Sequence, residues 1–456
     1  MLNPIIFVKN KAQIVGIPEV TVKKISQFLT MSNPLWQQGL NLGLTNWGVP
    51  KQLQYFEDAT DNSVVVPVGA LNDVIQLIME DCEFDLEDMT DVRNTRPLPD
   101  YFSKVKFKPT LRDYQQEMID HCKTKTVGVI QAKTGAGKTL FALSLILEKQ
   151  EPTLFLVNTL ELANQAIASF VKHTNLAVDD IGLIGNGKFS LKPITVGLHQ
   201  TMARLSEPQM DMLNGHIGMV IADEVHICPA KTYYKTMVSL DAKYKWGISG
   251  TPKREDGLTR AIFFATGPLI YSVPESKLES VLITPDVIFI ETDYTFPLFS
   301  TQDYQPMITD LSEDKVRNNL ILEELKKYKG RPTVLLCSRI SQVEALKESL
   351  GDEAVMLTSE STKKRRKEVM ESLQNNEKSI VISTYGLFST GIDLPHLEVL
   401  FLCAPMKSEI KLRQAAGRLM RKADGKTSAR IVDFVDKRVG VLFNQSRKRK
   451  TVLNNL

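Results

Sequence analysis

Thr134, Gly135, Ala136, Gly137, Lys138 and Thr139 form a run of small residues closed by a lysine and a hydroxyl. Small residues let backbone N–H groups curl around phosphate oxygens. Lys138 can neutralise the β and γ oxygens of a nucleoside triphosphate, and Thr139 can offer its hydroxyl to Mg2+. Ala132 stands where the pattern has Gly, and its methyl is tolerated if that residue keeps a negative φ, as the end of a strand does. Further along, the apolar run Met219-Val220-Ile221-Ala222 delivers two carboxylates, Asp223 and Glu224. Asp223 can hold Mg2+ through water, while Glu224 can orient or deprotonate an attacking water. Either feature alone has a plain reading, a glycine turn or an acidic helix start. Together they predict that a nucleoside triphosphate is bound with Mg2+ and hydrolysed.

Residue types of this kind need rigid supports. Short apolar runs at 126–130, 153–157, 194–197, 219–222 and 246–248 alternate with helical stretches, the pattern of a parallel α/β sheet. Such sheets present ligands at the C-terminal ends of their strands. The pattern restarts at 333–337, 354–357, 379–383, 399–402 and 429–432, without a second phosphate loop. The chain is therefore expected to be α/β, with a first sheet domain over 101–280, a connector over 281–310 and a second sheet domain over 311–456. Tyr294, Phe296, Phe299 and Tyr304 make the connector an ordered hinge or a surface loop packed by its own aromatics. Residues 1–100 differ in kind. Strand-like stretches at 5–15 and 64–66 and helix-like stretches at 20–29 and 71–79 suggest a small α+β module. An acidic tract at 80–91, read as a solvated face, and a linker with Pro97 and Pro99 close it.

At 456 residues the chain is long enough for two or three domains. Its 56 basic and 53 acidic side chains leave only +3, so a nucleic-acid partner must meet a local basic surface. Cys82, Cys122, Cys228, Cys337 and Cys403 are scattered, which argues against a zinc site, an iron–sulfur cluster or a disulfide framework and for a reducing compartment. No apolar run reaches the ~18 residues of a membrane span, and the first residues lack a signal pattern. A soluble, cytoplasmic chain with no membrane partner is expected.

A resemblance becomes specific in the second half. Gln414-Ala415-Ala416-Gly417-Arg418-Leu419-Met420-Arg421 resembles motif VI of the superfamily 2 helicases, and further motifs follow that family's order between 110 and 421. The resemblance implies two tandem RecA-like parallel-sheet domains and ATP with Mg2+ as cofactors. Leu111-Arg112-Asp113-Tyr114-Gln115 resembles the stretch whose glutamine reads adenine, which implicates Gln115 and Arg112. Val157-Asn158-Thr159 resembles the start of motif Ia, where Thr159 would meet a nucleic-acid phosphate; Asn158 replaces the usual proline. Gly197-Leu198-His199-Gln200-Thr201 resembles the next contact segment, through Gln200 and Thr201. Ser249-Gly250-Thr251-Pro252 resembles motif III. The following Arg254-Glu255-Asp256 resembles an element tied to strand separation in the excision-repair branch, with a solvated loop as the alternative.

Leu336-Cys337-Ser338-Arg339 resembles motif IV, placing Ser338 and Arg339 on nucleic acid. In the stretch from Ser383 to Asp393, which resembles motif V, Thr384 would touch a phosphate, and Gly391 and Asp393 would approach the nucleotide. Gln414, Arg418 and Arg421 complete the implied catalytic set. Arg418 and Arg421 are three apart, so a continuous helix would put both on one face, aimed at the γ-phosphate.

The order of small module, two-domain motor and short tail resembles phage recombination and repair helicases of the UvsW type. This implies forked or four-way branched DNA as partner, residues 1–100 as an accessory DNA-binding module, a monomeric motor, and recombination or replication proteins as potential partners. An RNA helicase, or a duplex translocase or recruitment subunit that never separates strands, is the alternative. Trp36, Trp47 and Tyr55 could stack on bases or fill the module's core. The basic clusters at 363–367 and 447–450 could hold phosphates or form solvated faces.

Overall fold

The computed structural model describes residues 4–456 apart from 42, 44, 134, 227–229, 255, 279–280, 298–302, 375–378, 392–393, 395 and 424. The chain divides into two compact units. The first holds Met1–Lys133 and Gly137–Val273, and the second holds Thr134–Ala136 and Pro274–Leu456.

The first unit is built on an eight-stranded sheet. Its order is Lys188–Ser190, Ile181–Gly185, Ile194–Leu198, Thr153–Val157, Met219–Asp223, Tyr244–Ser249, Val127–Gln131 and Leu269–Ser272. All neighbours are parallel except the first pair. Every residue of Thr153–Val157 is buried, as a central parallel strand covered on both faces requires. The sequence pattern missed the marginal strands Ile181–Gly185, Lys188–Ser190 and Leu269–Ser272, whose runs are short or interrupted by polar residues.

The N-terminal module is a four-stranded sheet ordered Ser63–Pro67, Lys11–Val15, Ile5–Val8 and Met89–Asp91. Its strands alternate, with Ile6, Val8, Ala12, Ile14, Val64 and Val66 buried on one face. Helices Glu19–Phe28 and Leu71–Asp81 cover that face with Val22, Ile25, Val74 and Ile78 at helical spacing. The core then runs on into Ala261 and Phe264 of helix Thr259–Thr266 in the first sheet domain. Tyr55, at 6% exposure, belongs to this core, its ring 4.9 Å from Tyr234 and 5.5 Å from Phe264. Arg260 lies over Phe28 and donates to its carbonyl. The module is thus part of the same hydrophobic body as the phosphate-loop domain. Trp36 is half-buried, and Trp47 stands 93% exposed. In the acidic tract, Asp81 binds Lys24 and Thr21, Asp91 binds Arg93, and residues Met89–Asp91 form a strand, so part of it is structural.

The second unit carries a six-stranded, wholly parallel sheet ordered Asp286–Glu291, Arg430–Val435, Val399–Leu402, Thr333–Cys337, Ile380–Thr384 and Ala354–Leu357. Asp286–Glu291 lies within the stretch expected to be a connector. Its Val-Ile-Phe-Ile run is instead an edge strand beside Arg430–Val435. Tyr304–Glu313 is a helix that buries Met307, Ile308 and Leu311. The basic tail is also a helix, Gly440–Leu453, in which Arg449 is buried against Asp433. That guanidinium is a structural partner and not a free phosphate ligand. In the other basic cluster Arg365 faces Glu368, and Arg366 reaches the Ser359 carbonyl. Among the described residues no helix is long and apolar enough to cross a membrane.

Candidate nucleotide site and nucleic-acid surface

Three adjoining strands of the first unit bring the nucleotide residues together. Val127–Gln131 leads into the phosphate loop, Tyr244–Ser249 lies beside it, and Met219–Asp223 follows. The Ala132 N–H donates to the Ser249 carbonyl at 2.9 Å, which ties the loop to the central strand. The non-glycine residues with positive φ among those described are Asp58, Gln150, Asn186 and Glu224, so Ala132 keeps the negative φ that its methyl needs. Gly135 and Gly137 have φ of +94° and +79°, and Gly137 starts helix Lys138–Lys149. A Cβ on Gly137 would lie 2.3 Å from the Gln115 side-chain nitrogen. Gln115 therefore reaches the loop. Its Oε1 accepts the Arg112 N–H at 3.0 Å, and Arg112 itself binds the Tyr114 hydroxyl. Ala136 is buried and Thr139 is half-buried in the first helical turn, while Thr134 lies outside the described residues.

Lys138 forms a charge-assisted hydrogen bond with Glu224. Burial by itself would raise the Glu224 carboxyl, but Lys138 and then His226 outweigh it and hold that carboxyl below its ordinary range. Burial, reinforced by the neighbouring Glu224 charge, pushes Asp223 up to about 6. The two acids are thereby differentiated, one held charged and one poised to bind a cation or proton. Glu224 has φ +49°, a left-handed conformation for a side chain with a Cβ. Its N–H donates to Asp223 Oδ1 at 3.0 Å.

The turn after the acids is braced from motif III. His226 Nδ1 is 2.6 Å from Ser249 Oγ and 3.4 Å from Glu224 Oε2. Arg254 Nη1 donates to the His226 carbonyl at 2.9 Å, and its other nitrogens grip Asp256. Arg254, expected on nucleic acid, is therefore turned inward, with only 10% of its side chain exposed. A guanidinium fork fits a carboxylate and a carbonyl at once, and the short loop brings both within its reach. Sequence spacing carried no signal for this bracing role. Glu255 lies outside the described residues.

Three of the expected nucleic-acid residues of the first unit, Thr159, Gln200 and Thr201, line one groove of about 580 Å³. Thr159 caps helix Leu160–His173, accepting the Leu162 N–H at 3.2 Å. Those of the second unit lie at the C-terminal ends of two adjoining strands. Thr384 ends a strand paired with Thr333–Cys337, and Ser338 follows that neighbour. Arg339 begins the next helix and is held by Gln305 and Thr309.

In the second unit, Gln414 and Arg418 lie half-buried on helix Glu409–Leu419, and Arg418 sits over Phe388. Arg421 departs from the expectation of one continuous face. The helix ends at Leu419, and Arg421 forms an extended bridge with Leu282. Lys426, buried and pushed down to about 8 by that burial, causes the change of direction, since its ammonium takes the Leu419 and Arg421 carbonyls. Gly391 ends helix Tyr385–Gly391, and Asp393 lies outside the described residues.

Residues 108–254 match the family described as type III restriction enzyme, res subunit, and residues 316–423 match the helicase conserved C-terminal domain. The DNA 3'-5' helicase XPB of Kineococcus radiotolerans is 27% identical over 342 residues, covering 72% of this chain. The chain spans 60% of that relative's length. The DNA-bound type ISP restriction-modification enzyme LlaBIII aligns with a TM-score of 0.57 and 15% identity over 77% of this chain and 30% of that one. T4 UvsW aligns over 100% of this chain and 97% of that one, with a TM-score of 0.45 and 19% identity. With both halves of the helicase core matched in order, and a parallel sheet behind each, the chain belongs to the superfamily 2 helicases.

Proposed function

We propose that the chain is an ATP-driven DNA helicase or translocase that acts on forked or four-way branched DNA. The observation that carries this reading is the convergence of Lys138, Asp223, Glu224 and the Ser249–His226 pair on three adjoining strand ends. The positive-φ glycine cradle, too tight over Gly137 for a Cβ, suits a phosphate chain, and Gln115 beside it favours adenine. Thr139 and Asp223 are the groups that would hold Mg2+, which neutralises phosphate charge when bound. Glu224 orients and deprotonates the attacking water. Arg418 and Arg421 supply positive charge where it develops on the γ-phosphate.

DNA is favoured by the relative named as a DNA 3'-5' helicase. A branched substrate is favoured by the N-terminal module, whose core is continuous with the phosphate-loop domain, so a duplex gripped there moves with that domain. The motor is read as a cytoplasmic monomer working beside recombination or replication proteins. The restriction-subunit match over 108–254 favours a second reading, a translocase that never separates strands.

The test is ATP-dependent dissociation of a mobile four-way DNA junction, beside a partial DNA duplex and an RNA duplex, with Glu224→Gln as control. Preferential action on the junction, lost in the control, supports the proposal. Stimulated ATPase without strand separation supports the translocase, and action on RNA alone overturns the DNA assignment.

A further inference from the structure

The groove beside Thr159 and Thr201 has a wall that no helicase motif in the sequence accounts for. Strands Ile181–Gly185 and Lys188–Ser190 form a hairpin in which Gly185 pairs with Lys188 across a two-residue turn. The turn residues Asn186 and Gly187 have φ of +53° and +76°, the tight turn that best matches strand twist. The hairpin's base is closely seated, since a Cβ on Gly185 would lie 2.7 Å from Leu198. Its position over the groove is therefore set by packing, and Gly187 and Lys188 are brought to the rim.

The groove's charge is one-sided. Lys188 and Arg204 both line it, both are exposed, and no acidic residue lines it. Neither head group is paired with a carboxylate among the described residues. Asn158 adds a donor of another kind, a buried side-chain nitrogen with no acceptor. Thr159 Oγ1 spends its lone pair on the Leu162 N–H, which leaves its own hydrogen to donate. Lys188, Arg204, Asn158 and Thr159 thus line a single space whose walls offer no anion. The chemistry that satisfies all four is a run of phosphodiester oxygens.

We propose that Asn158, Lys188 and Arg204 hold successive backbone phosphates of one DNA strand, with the hairpin as a second wall against which that strand is gripped. This rests on the nucleic-acid reading above. It assigns the Asn158 position, where the family's usual residue is proline and has no donor, a contact of this chain's own.

The test is fluorescence anisotropy of a labelled oligothymidylate with the full chain, titrated between about 50 and 200 mM salt, where counterion release makes phosphate contacts countable. Lys188→Ala and Arg204→Ala should each weaken binding and flatten the log Kd against log salt slope by about 0.7, the value for one phosphate on a single strand. Asn158→Asp, which exchanges a donor for an anion, should weaken binding more than Asn158→Ala. Lys235→Ala, an exposed lysine outside the groove, should leave the slope unchanged. Tight, salt-dependent binding by the natural chain with unchanged slopes in both cation variants overturns this inference and leaves the DNA reading standing. No binding by the natural chain, or binding of oligouridylate alone, overturns both.

Discussion

Replacing Arg254 with Ala separates two incompatible roles for that residue. Its Nη1 donates to the His226 carbonyl at 2.9 Å while the rest of the guanidinium grips Asp256. The carbonyl belongs to the turn in which Glu224 is held at φ +49°. A left-handed residue with a Cβ costs roughly 1–2 kcal/mol, so the turn relaxes unless its neighbours restrain it. A hydrogen bond from a charged group contributes about 1.5–3 kcal/mol. If that whole amount appears as misplacement of Glu224, kcat falls by about 10- to 150-fold. The assay is steady-state ATP hydrolysis without nucleic acid, comparing Arg254→Ala, Arg254→Lys and Asp256→Asn. We expect kcat to fall in Arg254→Ala with little change in KM. Arg254→Lys should recover part of the loss, because an ammonium can reach one partner but cannot span both. Normal DNA-free turnover together with weakened DNA binding would refute the bracing argument and return Arg254 to the nucleic-acid surface.

Glu224→Gln should retain ATP in equilibrium binding while phosphate release drops by about 10²–10⁴-fold, and normal release would place the general base elsewhere. Arg421→Ala should likewise keep ATP binding and lose most hydrolysis; near-normal turnover would remove it from the catalytic set. Tyr55→Ala opens a cavity against Tyr234 and Phe264, so it should cost the first unit about 3–5 kcal/mol in thermal melting. An unchanged main transition with a separate, lower one would show the N-terminal module to be independent. Lys245 is buried, and burial pushes it down to about 7. The folded chain thus binds fewer protons there than the unfolded chain between about pH 7 and 10.5. Its penalty is full below pH 7 and fades as pH rises. Lys245→Met should raise the melting temperature most at neutral pH, and a difference that does not shrink toward pH 10 would contradict this assignment.

Much of the nucleotide site was legible because its signals are local. An apolar run, small residues and a Lys-Thr pair describe a strand, a loop and a helix start within a short stretch of chain. The same holds for Asp223 and Glu224 at a strand end. The weaker strands escaped notice where the runs were short, although the Asn186-Gly187 pair is itself a hairpin signal. Arg421 shows the limit of periodicity. Its three-residue spacing from Arg418 suggested a shared helix face, but Lys426 captures the final carbonyls and the chain leaves the helix first.

By itself the sequence determined the α/β class, the order of the motor motifs and the placing of Lys138, Asp223 and Glu224 at strand ends. Those depend on residue type and on spacing within one or two elements. Only the tertiary structure decided that Glu224 is left-handed, that Arg254 braces it, and that the N-terminal core continues into Ala261 and Phe264. It also decided that Asn158, Lys188 and Arg204 line one groove. Each of these outcomes depends on which distant segments pack together. Packing is governed by burial and by the pairing of buried polar groups across the fold, which no local pattern records.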